Sequence, residues 1–349
     1  MTRPVRVGVM GAAGIARRRL LPALASCPGT EVAAVASRSA RTAADLARTY
    51  GCRAVRGYEP LLDDDDVDAV YIPLPAALHA TWVEAALRAG KHVLAEKPLT
   101  SSAPSTARLL ELARSLGLVL MENVMFVHHP QHAEVRRLVT AGAIGAPRLF
   151  HARFTVPRLP PDDIRYRSDL GGGALLDTGV YPVRAALHLL GPGLTVVGAA
   201  LTRAGGFTVD TSGAALLTTP EGVLAQLSFG LDHGYGSSYE LVGSEGRIGL
   251  EHAFTPPRDH RPVLRLSRGA DTEQIRLPAA DQVARTVAAF AQEVRSGRRG
   301  TLTEARDEVT LLQAGLLDRI RSTGVVRPPR DRSALTPAEA GASASRQAA

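Results

Sequence analysis

The chain has 349 residues, of which 45% are hydrophobic and 21% charged, a size and composition typical of a globular protein with two domains. Its net charge of +7 comes from 41 basic residues spread along the chain without a basic stripe or stacking motif, so we expect small anionic ligands rather than nucleic acid. No run of about 18 apolar residues occurs, and no apolar block follows the basic residues at the N-terminus. We therefore predict no membrane partner and a cytoplasmic location.

The first 125 residues alternate between two kinds of segment. Short β-branched runs such as VRVGVM, EVAAVAS and DAVYIPLP are each followed by an Ala-, Leu- and Arg-rich stretch of helical period. A strand followed by a helix, repeated, is the pattern of a parallel sheet with helices on both faces. We predict an α/β domain of this kind over residues 1–125.

The pattern changes after Gly142. Segments such as RLFHARFTV, GAALLTTPEGVLAQLSFGL and PVLRLSRG indicate strands joined by glycine-rich turns, which predicts a large, open, mostly antiparallel sheet. We expect a second domain, of the α+β class, over residues 126–330, with late helices that pack on the first domain or beside the sheet. Residues 331–349 contain few large apolar side chains and are predicted to be disordered.

The turn after the first strand, in VGVMGAAGIA, has the form of a dinucleotide-binding turn. Gly11, Ala13 and Ala16 take the three glycine positions of G-x-G-x-x-G, and Ile15 belongs to the same turn. Small residues there let backbone N–H groups and a helix N-terminus reach a pyrophosphate. Taken alone, the pattern is equally consistent with a small-residue turn packed under a helix.

The end of the second strand, VAVASRS, lies where the choice between NAD and NADP is made. NAD-binding proteins usually carry an acid there to hold the ribose 2′-hydroxyl, whereas Ser37 and Arg38 offer a hydroxyl and a guanidinium suited to a 2′-phosphate. We predict NADP(H) as the cofactor. The alternative is an arginine that merely caps the loop.

The segment LAEKPLT contains one of the chain's two lysines, Lys97; the other is Lys91. Lys97 follows a strand at the carboxyl edge of the predicted sheet, where open α/β sheets bind ligands. Lysine can aim one donor at a single oxygen, whereas arginine spreads its charge over a planar fork. We predict a functional Lys97, with a solvated or ion-pairing lysine as the alternative. Glu96 either orients Lys97 or lines the turn.

The segment LGGGALLDTGVYPVRAALHLLG places Asp177 and Tyr181 four residues apart, on one face of a helix that Pro182 should bend or shorten. A phenol can supply a proton if a nearby ammonium lowers its pKa, so we predict that Tyr181 acts beside Lys97. The alternative is a tyrosine that caps the core. Asp177 is either an acceptor for a sugar hydroxyl or a helix-start residue.

Three arginines are candidates for binding a nucleotide diphosphate. They lie on the first strand of the second domain and in the loop before the glycine run: Arg153, Arg165 and Arg167. The alternative for each is a solvated surface side chain.

Two groups of residues would suggest a metal if the right partners accompanied them: His128, His129 and His132, and Cys27 and Cys52. The histidines have no carboxylates or cysteines at ligand spacing. The cysteines fit neither a disulfide framework nor a metal site. We therefore predict no metal.

In combination, AEKP, PLPAALHA and GGGALLDTGVYPV resemble the Gfo/Idh/MocA family of NAD(P)-dependent oxidoreductases over about residues 5–330. MENVMFVHHPQH and GCRAVRGYEPLL are most similar to its NDP-hexose 3-ketoreductases. The resemblance implies a Rossmann domain, an open-sheet domain and a nicotinamide between them. It also implies that Lys97 is catalytic and that the Lys97–Pro98 bond is cis. Further residues that it implies near the cofactor are Pro73, Leu74, His79 and Glu96, with packing at a helix N-terminus as the alternative for His79.

The resemblance implies that the protein reduces the C3 keto group of an NDP-activated keto-deoxyhexose with NADPH, in deoxysugar biosynthesis for a secondary metabolite such as an antibiotic. Tyr181 would act as general acid, and Lys97 would polarise the carbonyl. A homo-oligomer, dimer or tetramer, would assemble through the open sheet. Two alternatives stay open: a dehydrogenase of a free sugar, polyol or dihydrodiol, and an NADP-binding sensor without turnover.

Overall fold

The computed structural model describes residues 3–204, 206–297 and 300–327, so the tail predicted over 331–349 lies outside the described residues. Within them, the first sheet consists of six parallel strands: β1 (Val5–Met10), β2 (Thr30–Ser37), β3 (Arg53–Arg56), β4 (Ala69–Ile72), β5 (His92–Glu96) and β6 (Leu120–Asn123). Their order is β3-β2-β1-β4-β5-β6, so the winding reverses between β1 and β4. The crevice outside the carboxyl ends at such a reversal is where open α/β sheets bind ligands.

Helices cover both faces of this sheet: α1 (Leu21–Ser26), α2 (Ala40–Tyr50), α3 (Glu59–Leu62), α4 (Ala76–Arg88) and α5 (Ala103–Ser115). One apolar cluster lies under α1 and a second lies under α3, α4 and α5. The ends of α2 illustrate how the local sequence determines where a helix begins and ends. The Ser39 hydroxyl accepts a hydrogen bond from the Thr42 N–H at its start, and Gly51, at a left-handed φ of 64°, ends it.

The second sheet has nine strands in the described part of the chain: β7 (Pro147–Thr155), β8 (Thr195–Thr202), β9 (Ser212–Thr218), β10 (Leu224–Gly230), β11 (Gly236–Gly243), β12 (Arg247–Glu251), β13 (Val263–Arg268), β14 (Asp271–Arg276) and β15 (Val325–Arg327). Their order is β14-β13-β12-β11-β7-β10-β9-β8-β15. The β7–β10 and β8–β15 pairs are parallel, and the other pairs are antiparallel. The predicted fold class, a Rossmann sheet followed by a large, mostly antiparallel sheet, is confirmed.

The two faces of the second sheet differ. Helices α6 (Pro130–Thr140) and α7 (Val180–Leu190) cover one face, where Phe150 and Phe154 of β7 are buried. The alternate residues His151 and Arg153 line the other face, which is open and forms a concavity of about 1130 Å³. Successive residues of a strand point to opposite faces of the sheet. A side chain of β7 therefore lies on the covered face or the open face according to its position in this alternation.

Two late helices connect the domains. Val287 and Phe290 of α8 (Gln282–Ser296) are fully buried in the apolar cluster of β1 and α1, so α8 returns to the first domain. Helix α9 (Thr301–Thr323) contacts both α5 and β8, and its Asp318 carboxylate accepts a hydrogen bond of 2.7 Å from the Ala103 N–H. No helix in the described residues is long and apolar enough to cross a membrane.

Histidines near α6 and α7 are kept from water. His132 is 1% exposed, and its Nδ1 lies 2.9 Å from the Tyr239 hydroxyl. Burial lowers the pKa of His132 well below its usual range. Burial, reinforced by nearby arginines, also lowers the pKa of His128 and that of His188 to about 4. The folded protein therefore holds these rings neutral.

We expect the free energy of unfolding to decrease as the pH falls from about 6.5 to about 4. In this window the unfolded chain protonates its histidines, whereas the buried rings stay neutral, so acid favours unfolding. Denaturant unfolding between pH 7.5 and 4.5 measures the effect. His188→Leu should remove about 1–3 kcal/mol of the pH-dependent loss, and His233→Asn, at an exposed position, should remove none. Equal pH dependence in all three proteins would contradict this explanation.

Candidate active site

The turn after β1 fits a dinucleotide. Gly11 has a φ of +116°, and its N–H donates to the Ala36 carbonyl at 2.9 Å. A Cβ at Gly11 would lie 3.0 Å from a Leu74 methyl and 4.0 Å from the Pro73 ring, so the turn runs against the loop after β4. These contacts leave room at position 11 for backbone only. They place three of the residues predicted to bind the cofactor side by side.

The other members of the fingerprint start the helix that follows. Ala16 is fully buried in the apolar cluster beneath that helix, at the position where a third glycine would stand. Ala13 and Ile15 are half-buried, and the Ala13 carbonyl accepts a hydrogen bond from the Arg17 N–H at 3.1 Å. The helix N-terminus therefore begins within the turn, where its free N–H groups favour an anion such as a pyrophosphate.

The residues predicted to select NADP lie at the end of β2. Ser37 is buried, and its hydroxyl accepts a hydrogen bond from the Ser39 N–H at 3.3 Å. Arg38 is exposed and makes no ion pair with any described residue. A guanidinium without an ion-pair partner in the described part of the chain suits the 2′-phosphate of NADP at this point, because a planar guanidinium can bind two phosphate oxygens at once.

Lys97 lies just after β5, and its ammonium is directed by Asp177 of the second domain. Its Nζ donates to the Asp177 carbonyl at 2.7 Å and to Asp177 Oδ1 at 2.8 Å. Two of its three N–H groups are thereby used, and tetrahedral geometry fixes the direction of the third. Burial lowers the pKa of Lys97, but the Asp177 carboxylate more than offsets this and the pKa is raised. The Lys97–Pro98 bond is cis, as the resemblance implies.

Asp177 lies in a π-helical turn, Leu175–Gly179, that leads into α7. Its Oδ2 accepts from Arg165 Nε at 2.8 Å, and Arg165 also pairs with Asp163. Burial raises the pKa of Asp177, but the cations of Lys97 and Arg165 outweigh it and hold the pKa below its usual range. Each carboxylate oxygen accepts one hydrogen bond from a cation and keeps a further lone pair. Asp177 therefore stabilises Lys97, and its role as an acceptor for a sugar hydroxyl stays a prediction.

Tyr181 begins the second turn of the same helical segment. Its ring lies 4.6 Å from Phe154 and 5.1 Å from Lys97 Nζ, measured to ring centroids. No described residue forms a hydrogen bond with its hydroxyl. Burial raises the pKa of Tyr181, and Lys97 lowers it as expected. The Asp177 carboxylate raises it again, so the net pKa lies above its usual value.

Glu96 and His79 brace the turn that carries Lys97. Glu96 Oε1 accepts from the Tyr71 hydroxyl at 2.7 Å and from Asn123 Nδ2 at 2.6 Å, so this carboxylate is directed into the sheet and not at Lys97. His79 is 1% exposed, with Nδ1 2.9 Å from the Pro98 carbonyl and Nε2 2.7 Å from the Leu74 carbonyl. These contacts place both residues beside the cofactor turn.

Two of the predicted arginines lie apart from this group. Arg153 lines the open face of the second sheet, whereas Tyr181 packs on Phe154 of the covered face. The alternation of β7 turns Arg153 away from Tyr181, and its role in binding a nucleotide diphosphate stays a prediction. Arg167 is exposed and paired with Asp169. Arg165 alone of the three meets Asp177.

Sequence reasoning missed a buried ion pair between Glu122 on β6 and Arg184 on α7. The sequence contained one signal, a charged residue within each of two largely apolar segments, but nothing indicated that they meet. Lys91 qualifies the argument from rare lysines. It is also buried, and its Nζ donates to the Asp64 carbonyl at 2.7 Å, which is a structural role.

Metal-binding groups are absent from the described residues: no three His, Cys, Asp or Glu side chains are placed to share an ion. Cys27 and Cys52 are unpaired and half-buried.

The groups described above are those of an NAD(P)-dependent oxidoreductase: a dinucleotide turn, a guanidinium at the ribose position and a directed ammonium beside a phenol.

Residues 5–124 match the model of the oxidoreductase family with an NAD-binding Rossmann fold, and residues 132–249 match the GFO/IDH/MocA C-terminal domain. The chain belongs to this GFO/IDH/MocA oxidoreductase family. It is 55% identical to a dTDP-3,4-didehydro-2,6-dideoxy-α-D-glucose 3-reductase of Streptomyces violaceoruber, over 91% of this chain and 95% of the relative. A protein of the same description from Actinomadura kijaniata is 52% identical over the same shares of the two chains.

Solved structures agree with this relationship. KijD10, a 3-ketoreductase from Actinomadura kijaniata in complex with NADP and TDP-benzene, superimposes with a TM-score of 0.90 at 51% identity. The match covers 93% of this chain and 99% of that one. KijD10 has also been solved in an open conformation with the same two ligands, at a TM-score of 0.88.

Arg38→Ala should raise the KM for NADPH far more than the KM for NADH. A charge-assisted hydrogen bond to the 2′-phosphate is worth about 1.5–3 kcal/mol, which corresponds to roughly 10- to 100-fold in affinity. Steady-state kinetics with both cofactors measure the difference. Arg48→Ala, at the far end of α2 where the side chain pairs with Asp45, is the matched control and should change neither KM. Equal effects of Arg38→Ala on both cofactors would contradict the role.

Proposed function

We propose that this protein reduces the C3 keto group of a dTDP-linked 3-keto-2,6-dideoxyhexose with NADPH. Four relatives that are 49–55% identical to the chain carry the name of that 3-reductase. The observation that carries the proposal is the pairing of a directed Lys97 ammonium with a Tyr181 hydroxyl that has no partner among the described residues. In this proposal the ammonium and the hydroxyl both donate hydrogen bonds to the carbonyl oxygen of the ketone as it becomes an alcohol.

Solved variants of KijD10 support the choice of these two residues. One replaces a tyrosine with phenylalanine, and others replace a lysine with glutamate or alanine. That tyrosine and that lysine are separated along KijD10 by the same number of residues as Tyr181 and Lys97 here. At about half identity and nearly full coverage, equal spacing favours equal roles.

The residues divide the chemistry as follows. When bound, NADPH supplies the hydride that converts the C3 carbonyl to an alcohol. The third N–H of Lys97, whose direction the two bonds to Asp177 set, stabilises the negative charge that develops on the carbonyl oxygen. Tyr181 gives that oxygen its proton and is protonated again from solvent. Asp177 keeps Lys97 charged throughout, and Arg165 holds Asp177 in place.

The wider setting follows from the substrate. A nucleotide-linked keto-deoxysugar is an intermediate of deoxysugar biosynthesis, so we place the protein in the supply of a sugar for a secondary metabolite such as an antibiotic. NADPH and sugar nucleotides are highly charged and do not cross membranes freely, which favours the cytoplasm. A homo-oligomer, dimer or tetramer, is proposed through the concave open face lined by Arg153 and His151.

Oxidation of NADPH with a panel of acceptors tests the function. We expect turnover with dTDP-3,4-didehydro-2,6-dideoxy-α-D-glucose and much lower kcat/KM for free sugars. 1,5-Anhydro-D-fructose serves as the free-sugar acceptor, and D-xylose is assayed with NADP⁺ in the direction of oxidation, because relatives at 30% and 37% identity are named a 1,5-anhydro-D-fructose reductase and a D-xylose 1-dehydrogenase. Preference for a free sugar would replace the proposal with the dehydrogenase alternative. Tight NADPH binding without turnover of any acceptor would replace it with the sensor alternative.

Lys97→Arg should lower kcat by about 10²–10³ although it preserves the charge. A planar guanidinium cannot keep both bonds to Asp177 and still aim a single donor where the tetrahedral ammonium did. Single-turnover reduction measures the step, and fluorescence titration should show NADPH affinity nearly unchanged because the pyrophosphate turn at Gly11 is untouched. Lys91→Arg changes the other buried lysine in the same way and is the matched control.

Tyr181→Phe tests the proton donor separately. Removing the hydroxyl while keeping the ring and its contact with Phe154 should lower kcat by about 10²–10⁴, the usual contribution of a general acid. Near-wild-type turnover of either Lys97→Arg or Tyr181→Phe would contradict the role assigned to that residue. Loss of kcat in Lys91→Arg to the same extent as in Lys97→Arg would point to a general effect of replacing buried lysines.

A further inference from the structure

A network of buried polar side chains ties three elements of the two domains together. Glu122 on β6 and Arg184 on α7 form an ion pair whose side chains are 1% and 5% exposed. Gln313 of α9 donates to Glu122 Oε1 at 2.8 Å and accepts from Arg184 Nε at 2.6 Å. Arg184 also donates to the Thr310 hydroxyl at 3.2 Å. The carboxylate and the guanidinium each have partners from two other elements.

Each member of the ion pair is connected to one of the two reactive residues. Glu122 Oε1 accepts a hydrogen bond of 2.9 Å from the Leu99 N–H, in the turn that carries Lys97. Arg184 lies three residues after Tyr181, one turn further along α7. A single carboxylate thus fixes the backbone beside Lys97 and, through Arg184, the helix that presents Tyr181.

Stability alone does not account for this arrangement. Burial lowers the pKa of Arg184 even though Glu122 opposes the shift, so the charge is held there against a desolvation cost. Apolar side chains of similar volume often stabilise such a site equally well or better. Apolar contacts impose little directional constraint, so two elements packed through them can shift relative to each other. A guanidinium bonded to several fixed acceptors does not allow such shifts. The pair therefore restricts the rotation and translation of α7 against β6.

We infer that Glu122 and Arg184 are positioning residues, which set the Lys97 ammonium and the Tyr181 phenol at the separation that reduction of the ketone requires. The inference rests on the proposed function. Glu122 and Arg184 act through the Leu99 N–H and through α7. A misplacement of about 1 Å in a reacting group can cost about 10²-fold in rate, so small shifts of the helix are sufficient.

Arg184→Lys is the primary test, because it keeps the charge but cannot bond Glu122, Gln313 and Thr310 together. We expect kcat to fall about 10- to 100-fold, the KM for NADPH to change less than about 3-fold, and the isotope effect with 4-deuterated NADPH to rise as hydride transfer becomes slower. Glu122→Gln is a second variant, which keeps the side-chain volume and an acceptor oxygen for the Leu99 N–H but removes the charge that pairs with Arg184, and the same fall in kcat is expected. Arg306→Lys is the matched control: Arg306 pairs with Glu293 and donates to the Leu120 carbonyl of β6.

A double-mutant comparison separates positioning from general damage. If Arg184 acts through Lys97 and Tyr181, then Arg184→Lys should cost almost nothing further in a Lys97→Ala/Tyr181→Phe background. An equal loss in both backgrounds would overturn the inference. A loss of rate in Arg306→Lys as large as in Arg184→Lys would overturn it as well.

A crystal structure of Arg184→Lys gives a readout that is independent of turnover. We expect the 2.8 Å contact between Lys97 Nζ and Asp177 Oδ1, or the 5.1 Å distance from Nζ to the Tyr181 ring, to lengthen by about 1 Å. Unchanged positions of Lys97, Asp177 and Tyr181 would overturn the inference. A wild-type protein that reduces no dTDP-linked keto sugar would refute the proposed function instead, and this structural comparison would still decide the inference.

Discussion

An ammonium that is almost excluded from water stays charged only if an anion is held against it, and the site of this protein is built around that constraint. Burial lowers the pKa of Lys97 and raises that of Asp177, so each alone would be driven toward its neutral form. At 2.8 Å each moves the pKa of the other back toward the charged form, and Arg165 adds to this effect on Asp177. Lys97 belongs to the first domain and Asp177 to the second, and therefore the charged state of the site depends on how the two domains dock.

Each domain contributes part of the proposed site. The first domain contributes the cradle at Gly11 and the Lys97 donor, and the second contributes Asp177 and the Tyr181 phenol. Helix α9 lies against both α5 and β8, which makes the interface a packed structure rather than a hinge with few contacts. The reacting groups are thus positioned by packing and by buried hydrogen bonds, which is the arrangement that gives electrostatic stabilisation without reorganisation during the reaction.

The sequence predicted those features that depend on local pattern or on unusual chemistry. Alternation of strands and helices indicated the first sheet, and Lys97 stood out among arginines; both features are visible without knowledge of contacts. The position of Arg153 on the open face could not be predicted, because a strand does not reveal which of its two faces the helices will cover. The Glu122–Arg184 pair joins residues 62 positions apart, and no local pattern specifies such a meeting. Lys91 shows that a rare residue type indicates a constrained position but does not reveal whether the constraint is chemical or structural.

The pKa of Tyr181 bears on which form of the phenol is present. A nearby ammonium was expected to lower it, but burial and the Asp177 carboxylate outweigh Lys97 and leave it above the usual value of about 10. The phenol is therefore protonated at neutral pH, which is the form that the proposed reduction uses. The same groups serve both directions of a reversible hydride transfer, so the direction is set by the free energies of the substrates and cofactors. The charges around Tyr181 determine which form of the phenol is present when the ketone binds.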